Sequence, residues 1–128
     1  MVQDAQKKIQ DRVQLNPVKF FARHAMLEVQ EARAKVATFL NQKPEQIALV
    51  RNTTEAASTT MRGFPFNAGD EAIVLDHEYG AVIYAVQRAV EAAGGTLVTV
   101  VIPRLATDEE VIAIVEASFT PRTRLFVV

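Results

Sequence analysis

Cysteine is absent from this chain of 128 residues, and histidine occurs only twice. Without thiols the chain forms no disulfide, and two histidines make a poor transition-metal set, so no metal site is predicted. No apolar run approaches the roughly 18 residues of a membrane span, and the first ten residues contain no signal-peptide core. Basic and acidic side chains number 14 and 15, a balance that favours neither nucleic acid nor an acidic membrane as partner. We therefore expect a cytoplasmic protein.

Glycine-rich loops are also missing, and no lysine follows Lys43. The lack of a glycine-rich first turn removes the Walker and dinucleotide fingerprints. It therefore disfavours a free-standing nucleotide-binding domain.

Residues 1–43 differ in composition from the rest of the chain and form a predicted N-terminal helical segment. They are rich in Gln, Glu, Lys, Arg and Ala, which helices tolerate or favour. Asn16 and Pro17 are an N-cap and N1 pair, which predicts one helix over 4–14 and a second over 17–40. The second helix has one apolar face that must pack on something, formed by Ala25, Val29, Ala32, Val36, Phe39 and Leu40.

Residues 44–128 alternate short β-rich runs with amphipathic stretches, the signature of βαβ units and of a partial α/β domain with a mostly parallel sheet. The predicted strands cover 47–51, 71–76, 96–102 and 124–128, and the predicted helices cover 54–63, 79–93 and 108–118. Thr107 and Glu110 match a capping box at the start of the last helix. The chain stops inside an apolar strand, so we expect it to be a fragment.

The predicted turn after residues 47–51 offers a first candidate site, because ligands of open α/β sheets bind beyond the carboxyl ends of strands. Thr53 and Thr54 open the following helix, where hydroxyls, free amides and the helix dipole would hold a phosphate. The alternative is that Asn52 or Thr53 only caps the helix, and residue types alone favour capping.

His77, between Asp76 and Glu78 after the second predicted strand, offers a second candidate. Its imidazole would serve as a general base, a ring-stacking group or a ligand, although neighbouring side chains in an extended turn point apart and disfavour metal. The alternative is that the two carboxylates start a helix and His77 is a bystander. We interpret His24 as structural, and Arg122 and Arg124 as parts of a solvated turn.

Four segments resemble the class V aminotransferase family of pyridoxal-phosphate (PLP) enzymes, in order and with similar spacing. They read NPVKFFAR, NQKPEQIALVRNTTEA, GDEAIVLDHEYGAV and TPRTRLFVV. The isopenicillin-N-epimerase-like branch is the most similar, and the cysteine desulfurases are more distant relatives. The resemblance implies a fold-type I large domain, PLP as cofactor, an amino-acid substrate and a homodimer. It places Thr53 and Thr54 on the turn that binds the cofactor phosphate, and His77 on the residue that stacks on the pyridine ring and relays protons.

The chain departs from this family because several of its functional groups are missing. The Asp that pairs with the pyridine nitrogen, the Schiff-base Lys and the small C-terminal domain would all lie beyond residue 128. We therefore expect the N-terminal part of an enzyme that is inactive alone. The alternative is a non-catalytic half-domain that assembles with or regulates a complete chain. The family's strand order also predicts that residues 71–76 lie at the centre of a three-stranded parallel unit, while residues 47–51 lack their partners.

Overall fold

A computed structural model describes residues 1–128 and divides the chain into two units, Met1–Leu49 and Val50–Val128. The first unit is helical, and the second contains three helices and a three-stranded parallel sheet. The predicted α/β class is therefore confirmed. None of the helices combines the length and apolar character that a bilayer crossing requires.

The first unit contains helices α1 (Val2–Leu15), α2 (Pro17–Arg23) and α3 (Ala25–Phe39), followed by a 3-10 turn at Pro44–Gln46. Asn16 caps α2 as predicted, since its Oδ1 accepts the N–H of Lys19 at 2.9 Å. The single helix predicted over 17–40 is wrong, because it breaks at His24, where φ is −116°. Neither proline nor glycine lies at the break.

The apolar face predicted on the second helix remains largely exposed in α3. Val29 is 50% exposed and Phe39 88%, and Ala37 is the buried residue of the helix. The predicted helical periodicity is confirmed, but no other element of the first unit covers this face. An apolar stripe therefore identifies a surface that is suited to packing and does not identify what packs on it.

The second unit begins with helix α4 (Thr53–Gly63) and continues with β1 (Glu71–Leu75), α5 (Gly80–Ala92), β2 (Thr96–Val100), α6 (Asp108–Ser118) and β3 (Thr123–Val127). The strand order is β2-β1-β3, with both pairings parallel, so the predicted central position of residues 71–76 is confirmed. The capping box of Thr107 and Glu110 is also present. The strand predicted over 47–51 is absent, because these residues pair with no other strand.

Helices cover both faces of this sheet. On one face Ala72 and Val74 of β1 pack in a cluster with Met61 of α4 and with Val86 and Val90 of α5. On the other face Ile73 packs with Val100 and Ile102, and partly buried residues of α6 complete that cluster. Alternate residues of β1 thus serve two cores, which explains why this strand reads as a continuous apolar run.

Glu71, the first residue of β1, is a buried carboxylate that connects β1 to the start of β3. It accepts hydrogen bonds from Thr120 Oγ1 at 2.5 Å and from Arg122 Nε at 2.9 Å, and Arg122 Nη2 is also in contact. Arg122 lies in the predicted solvated turn, with its side chain 65% exposed, and its guanidinium also pairs with Glu71. A buried carboxylate needs such partners, but no local pattern identifies which distant residues supply them.

The stability of the chain is expected to fall in acid because of Glu71. The hydroxyl of Thr120 and then the guanidinium of Arg122 lower the pKa of Glu71 below its ordinary value of 4.5. The unfolded chain therefore binds this proton more readily, so the interaction stabilises the fold above about pH 4.5 and is lost as the pH falls further. Thermal unfolding midpoints at neutral and acidic pH should show Glu71→Gln below wild type at neutral pH and converging with it in acid. Glu45→Gln, at an exposed carboxylate, is the control; a constant gap between Glu71→Gln and wild type would contradict the assignment.

Candidate functional site

The turn between β1 and α5 carries His77, whose side chain is 54% exposed. The turn is closed by the Glu78 N–H, which donates to the Leu75 carbonyl at 3.1 Å. Asp76 does not cap α5, since its Oδ1 accepts the N–H of Ile102 at 3.0 Å. Glu78 accepts the N–H of Tyr79 at 2.6 Å, directly before α5 begins at Gly80. The alternative was that the carboxylates of Asp76 and Glu78 both lie at the start of α5 and stabilise it. This alternative is wrong for Asp76, whose carboxylate bonds to Ile102 instead.

The start of α4 carries the two candidate threonines. Asn52 is the N-cap, and its Oδ1 accepts the N–H of Glu55 at 2.9 Å. The capping function is therefore filled by Asn52, and not by Thr53. Thr53 and Thr54 are exposed, and neither their hydroxyls nor their backbone N–H groups have a hydrogen-bond partner within the chain.

Glu55 places a carboxylate in the same first turn, and Arg51 compensates its charge. The Arg51 side chain donates to both carboxylate oxygens of Glu55 at 3.2 Å, and the Arg51 backbone N–H donates at 2.8 Å. The side-chain bonds and then the backbone bond lower the pKa of Glu55. The acid is thus held by Arg51, while the amides of Thr53 and Thr54 stay free.

An open groove of about 880 Å³ lies between α4 and α5. Thr54 contributes to it from the first turn of α4, and Gly80 and Ala81 contribute from the first turn of α5. The candidate phosphate turn and the start of the helix that follows His77 therefore border the same groove. Two amides, two hydroxyls and a helix N-terminus are a donor set whose chemistry suits a phosphate.

Comparison with known proteins assigns the chain to a family. The sequence pattern of the aminotransferase class-V family matches residues 4–128. The chain belongs to this family. Members of the aminotransferase class-V family are PLP-dependent enzymes, so the predicted cofactor class is confirmed for the family.

Two relatives and one solved structure illustrate the similarity. Isopenicillin N epimerase from Streptomyces clavuligerus is 30% identical over 111 residues, which are 86% of this chain and 28% of the epimerase. A probable cysteine desulfurase from Methanothermobacter thermautotrophicus is 38% identical over 55 residues, 43% of this chain and 14% of that protein. A variant of the cystine C-S lyase C-DES, with glycine covalently linked to its PLP cofactor, superposes with a TM-score of 0.79. That similarity covers 97% of this chain and 33% of C-DES at 22% identity, so it establishes the fold.

The chain spans about 28% of the length of the epimerase that it matches and 33% of C-DES. The family resemblance predicted from the four sequence segments is confirmed, including the epimerase and desulfurase relatives. The roles of Thr53, Thr54 and His77 stay predictions.

Sequence reasoning missed two polar contacts at the strand ends. One is the Glu71 pairing with Arg122, and the other is the Asp76 bond to Ile102. Glu71 offered a weak signal, since a carboxylate at the start of an apolar strand needs a partner. Asp76 offered none, because its acceptor role depends on where the end of β2 lies.

Proposed function

We propose that this chain is the N-terminal part of a PLP-dependent enzyme of the aminotransferase class-V family that acts on an amino acid by transfer, epimerisation or C–S lyase chemistry. The free donors of Thr53 and Thr54 at the start of α4 carry this proposal. They supply what a cofactor phosphate requires, at the turn for which the family resemblance predicts phosphate binding. The division into 1–43 and 44–128, the homodimer and the cytoplasmic location stay predictions.

Each candidate residue has a defined task in this proposal. Thr53 and Thr54 bind the phosphate through backbone N–H groups and hydroxyls, and the helix dipole adds to that attraction. His77 would lie against the face of the cofactor ring, orient it and exchange a proton with the reacting groups. When bound, PLP supplies the electron sink for the reacting amino acid.

Two substitutions separate the phosphate contact from the ring contact. Thr54→Ala removes one hydrogen bond to a charged group, which is worth about 1.5 to 3 kcal/mol, so PLP should bind about 10- to 150-fold more weakly. Pyridoxal, which lacks the phosphate, should bind this variant as it binds wild type. His77→Ala removes the stacked ring and should weaken the binding of both compounds by about 2- to 10-fold.

Fluorescence titration of PLP and of pyridoxal into each variant measures these effects. Thr59→Ala, at an exposed threonine later in α4, is the control for Thr54, and His24→Ala is the control for His77. Wild-type affinity of Thr54→Ala and His77→Ala for both compounds would return these residues to a purely structural role.

We also propose that the chain alone is inactive, because its lysines all lie within residues 1–43 and none matches the family's Schiff-base position. Borohydride treatment in the presence of PLP, followed by peptide mass spectrometry, should show no stoichiometric adduct on any lysine. A stoichiometric adduct together with amino-acid turnover would contradict this prediction.

The same distribution of lysines favours a second candidate function, a non-catalytic half-domain that assembles with or regulates a complete chain. Co-purification with a longer family member that carries the missing lysine would support this candidate.

A further inference from the structure

Asp76 is attached to the end of β2 through both its backbone and its side chain. Its backbone N–H donates to the Val100 carbonyl at 2.9 Å, and its Oδ1 accepts the N–H of Ile102 at 3.0 Å. The second bond forms beyond the last residue of β2, where the regular ladder has ended. The carboxylate is therefore fixed across the carboxyl ends of two adjacent strands.

The same Oδ1 atom lies 3.8 Å from Nε2 of His77. This distance is too long for a hydrogen bond, and the two groups attract as an ion pair only when the imidazole is protonated. Neighbouring side chains of an extended strand point to opposite faces, so the contact depends on the turn that the Glu78 N–H closes onto Leu75. The turn and the strand-end bond together bring a fixed negative charge to one edge of the imidazole.

His77 has no other partner in the chain and is 54% exposed. A side chain in solvent samples several staggered rotamers unless a neighbour restricts it. Asp76 is the neighbour that can restrict the His77 rotamers, because its side chain is only 30% exposed and its Oδ1 is held by a hydrogen bond.

We propose that Asp76 is the positioning residue of His77: its carboxylate, held by the Ile102 N–H, fixes where the imidazole lies at the carboxyl end of β1. The value of this arrangement for catalysis rests on the proposed contact between His77 and the cofactor ring. An imidazole that is already oriented loses less freedom when a flat ring binds against it.

Two variants of Asp76 separate its charge from its hydrogen bond. Asp76→Asn keeps a side-chain oxygen that accepts the Ile102 N–H but removes the negative charge, whereas Asp76→Ala removes both. Asp70→Asn is the matched control, because Asp70 also accepts a backbone N–H, that of Asn67 at 2.7 Å, at the opposite end of β1.

NMR of the 128-residue chain without cofactor measures the effect of losing the charge of Asp76 and the effect of losing its hydrogen bond. Exchange of the Ile102 amide should accelerate about tenfold in Asp76→Ala and stay close to wild type in Asp76→Asn. The ring signals of His77 should move in both variants toward those of a peptide copying residues 74–80. The ring signals of His24, the only other histidine, should not move.

The outcomes are distinct. Unchanged His77 ring signals in both variants, or full recovery of these signals in Asp76→Asn, would overturn the proposal and leave Asp76 as a link between strands. Addition of PLP to wild type tests the proposed function separately. Ring signals of His77 that depend on Asp76 but do not respond to PLP would support the positioning role and contradict the cofactor contact.

Discussion

Replacing Gly95 with alanine is expected to destabilise the chain by about 3 kcal/mol, the upper part of the usual range for overpacking. A Cβ on Gly95 would lie 2.4 Å from the Asp70 carbonyl oxygen and 2.7 Å from Val90 Cγ2. The Asp70 oxygen accepts the N–H of Thr96 at 2.9 Å, at the start of the pairing between β1 and β2. Relief of the clash therefore has to move backbone, since a backbone oxygen cannot change rotamer.

Urea unfolding followed by far-UV circular dichroism measures this loss. Gly80→Ala is the matched control, because a Cβ on Gly80 would meet no atom within 4 Å. The Gly95→Ala midpoint should fall clearly below that of Gly80→Ala. Equal midpoints would show that the contact between the end of α5 and the start of β1 is looser than the structure indicates.

Replacing Ile73 with alanine should cost about 2 to 5 kcal/mol, the range for large buried aliphatic side chains. Ile73 is fully buried at the middle of the central strand and belongs to the core beneath α6. Flanking strands on both sides limit how far the structure can collapse into the cavity. The loss should therefore include a cavity term in addition to the lost apolar burial.

Ile112→Ala provides the same chemical change on the exposed side of α6, where Ile112 is 57% exposed. The free energy of unfolding from urea titrations should fall several times more for Ile73→Ala than for Ile112→Ala. Similar losses would mean that the core on this face is not closely packed.

Local chemistry predicted much of the fold, because caps and apolar periodicity act within a few residues. Asn16 and Thr107 located two helix starts correctly. The continuous apolar run of β1 predicted burial on both faces, and its alternate residues do lie in two cores. The central position of β1 depends on pairing between residues far apart in sequence, and it was predicted from the family resemblance. The strand predicted over 47–51 failed for a related reason: a strand requires a partner, and residue types alone do not supply one.

The candidate site was predictable only as residue types at strand ends. Thr53, Thr54 and His77 were identified from the sequence. Only the backbone geometry of the folded chain shows that Asn52 caps the helix and leaves both threonines free. The break between α2 and α3 at His24 could not be predicted, because no proline or glycine lies there. The hydrogen bonds of Asp76 with Ile102 and of Arg122 with Glu71 join residues far apart in sequence, and no local pattern predicts them.

The central position of β1 also sets an order of assembly during synthesis. Glu71 pairs with Thr96 of β2 and with Thr123 of β3, so the second pairing closes a loop about twice as long. Doubling a loop adds only about 0.6 kcal/mol of closure entropy, so loop length alone separates the two pairings little, and the order of synthesis favours the pairing with β2 first. The pairing of β1 with β2 involves residues that are translated before those of β3. In a β1-α5-β2 unit without β3, the Glu71 carboxylate would have neither Thr120 nor Arg122 as a partner, so an unpaired charge would lie at the start of the central strand.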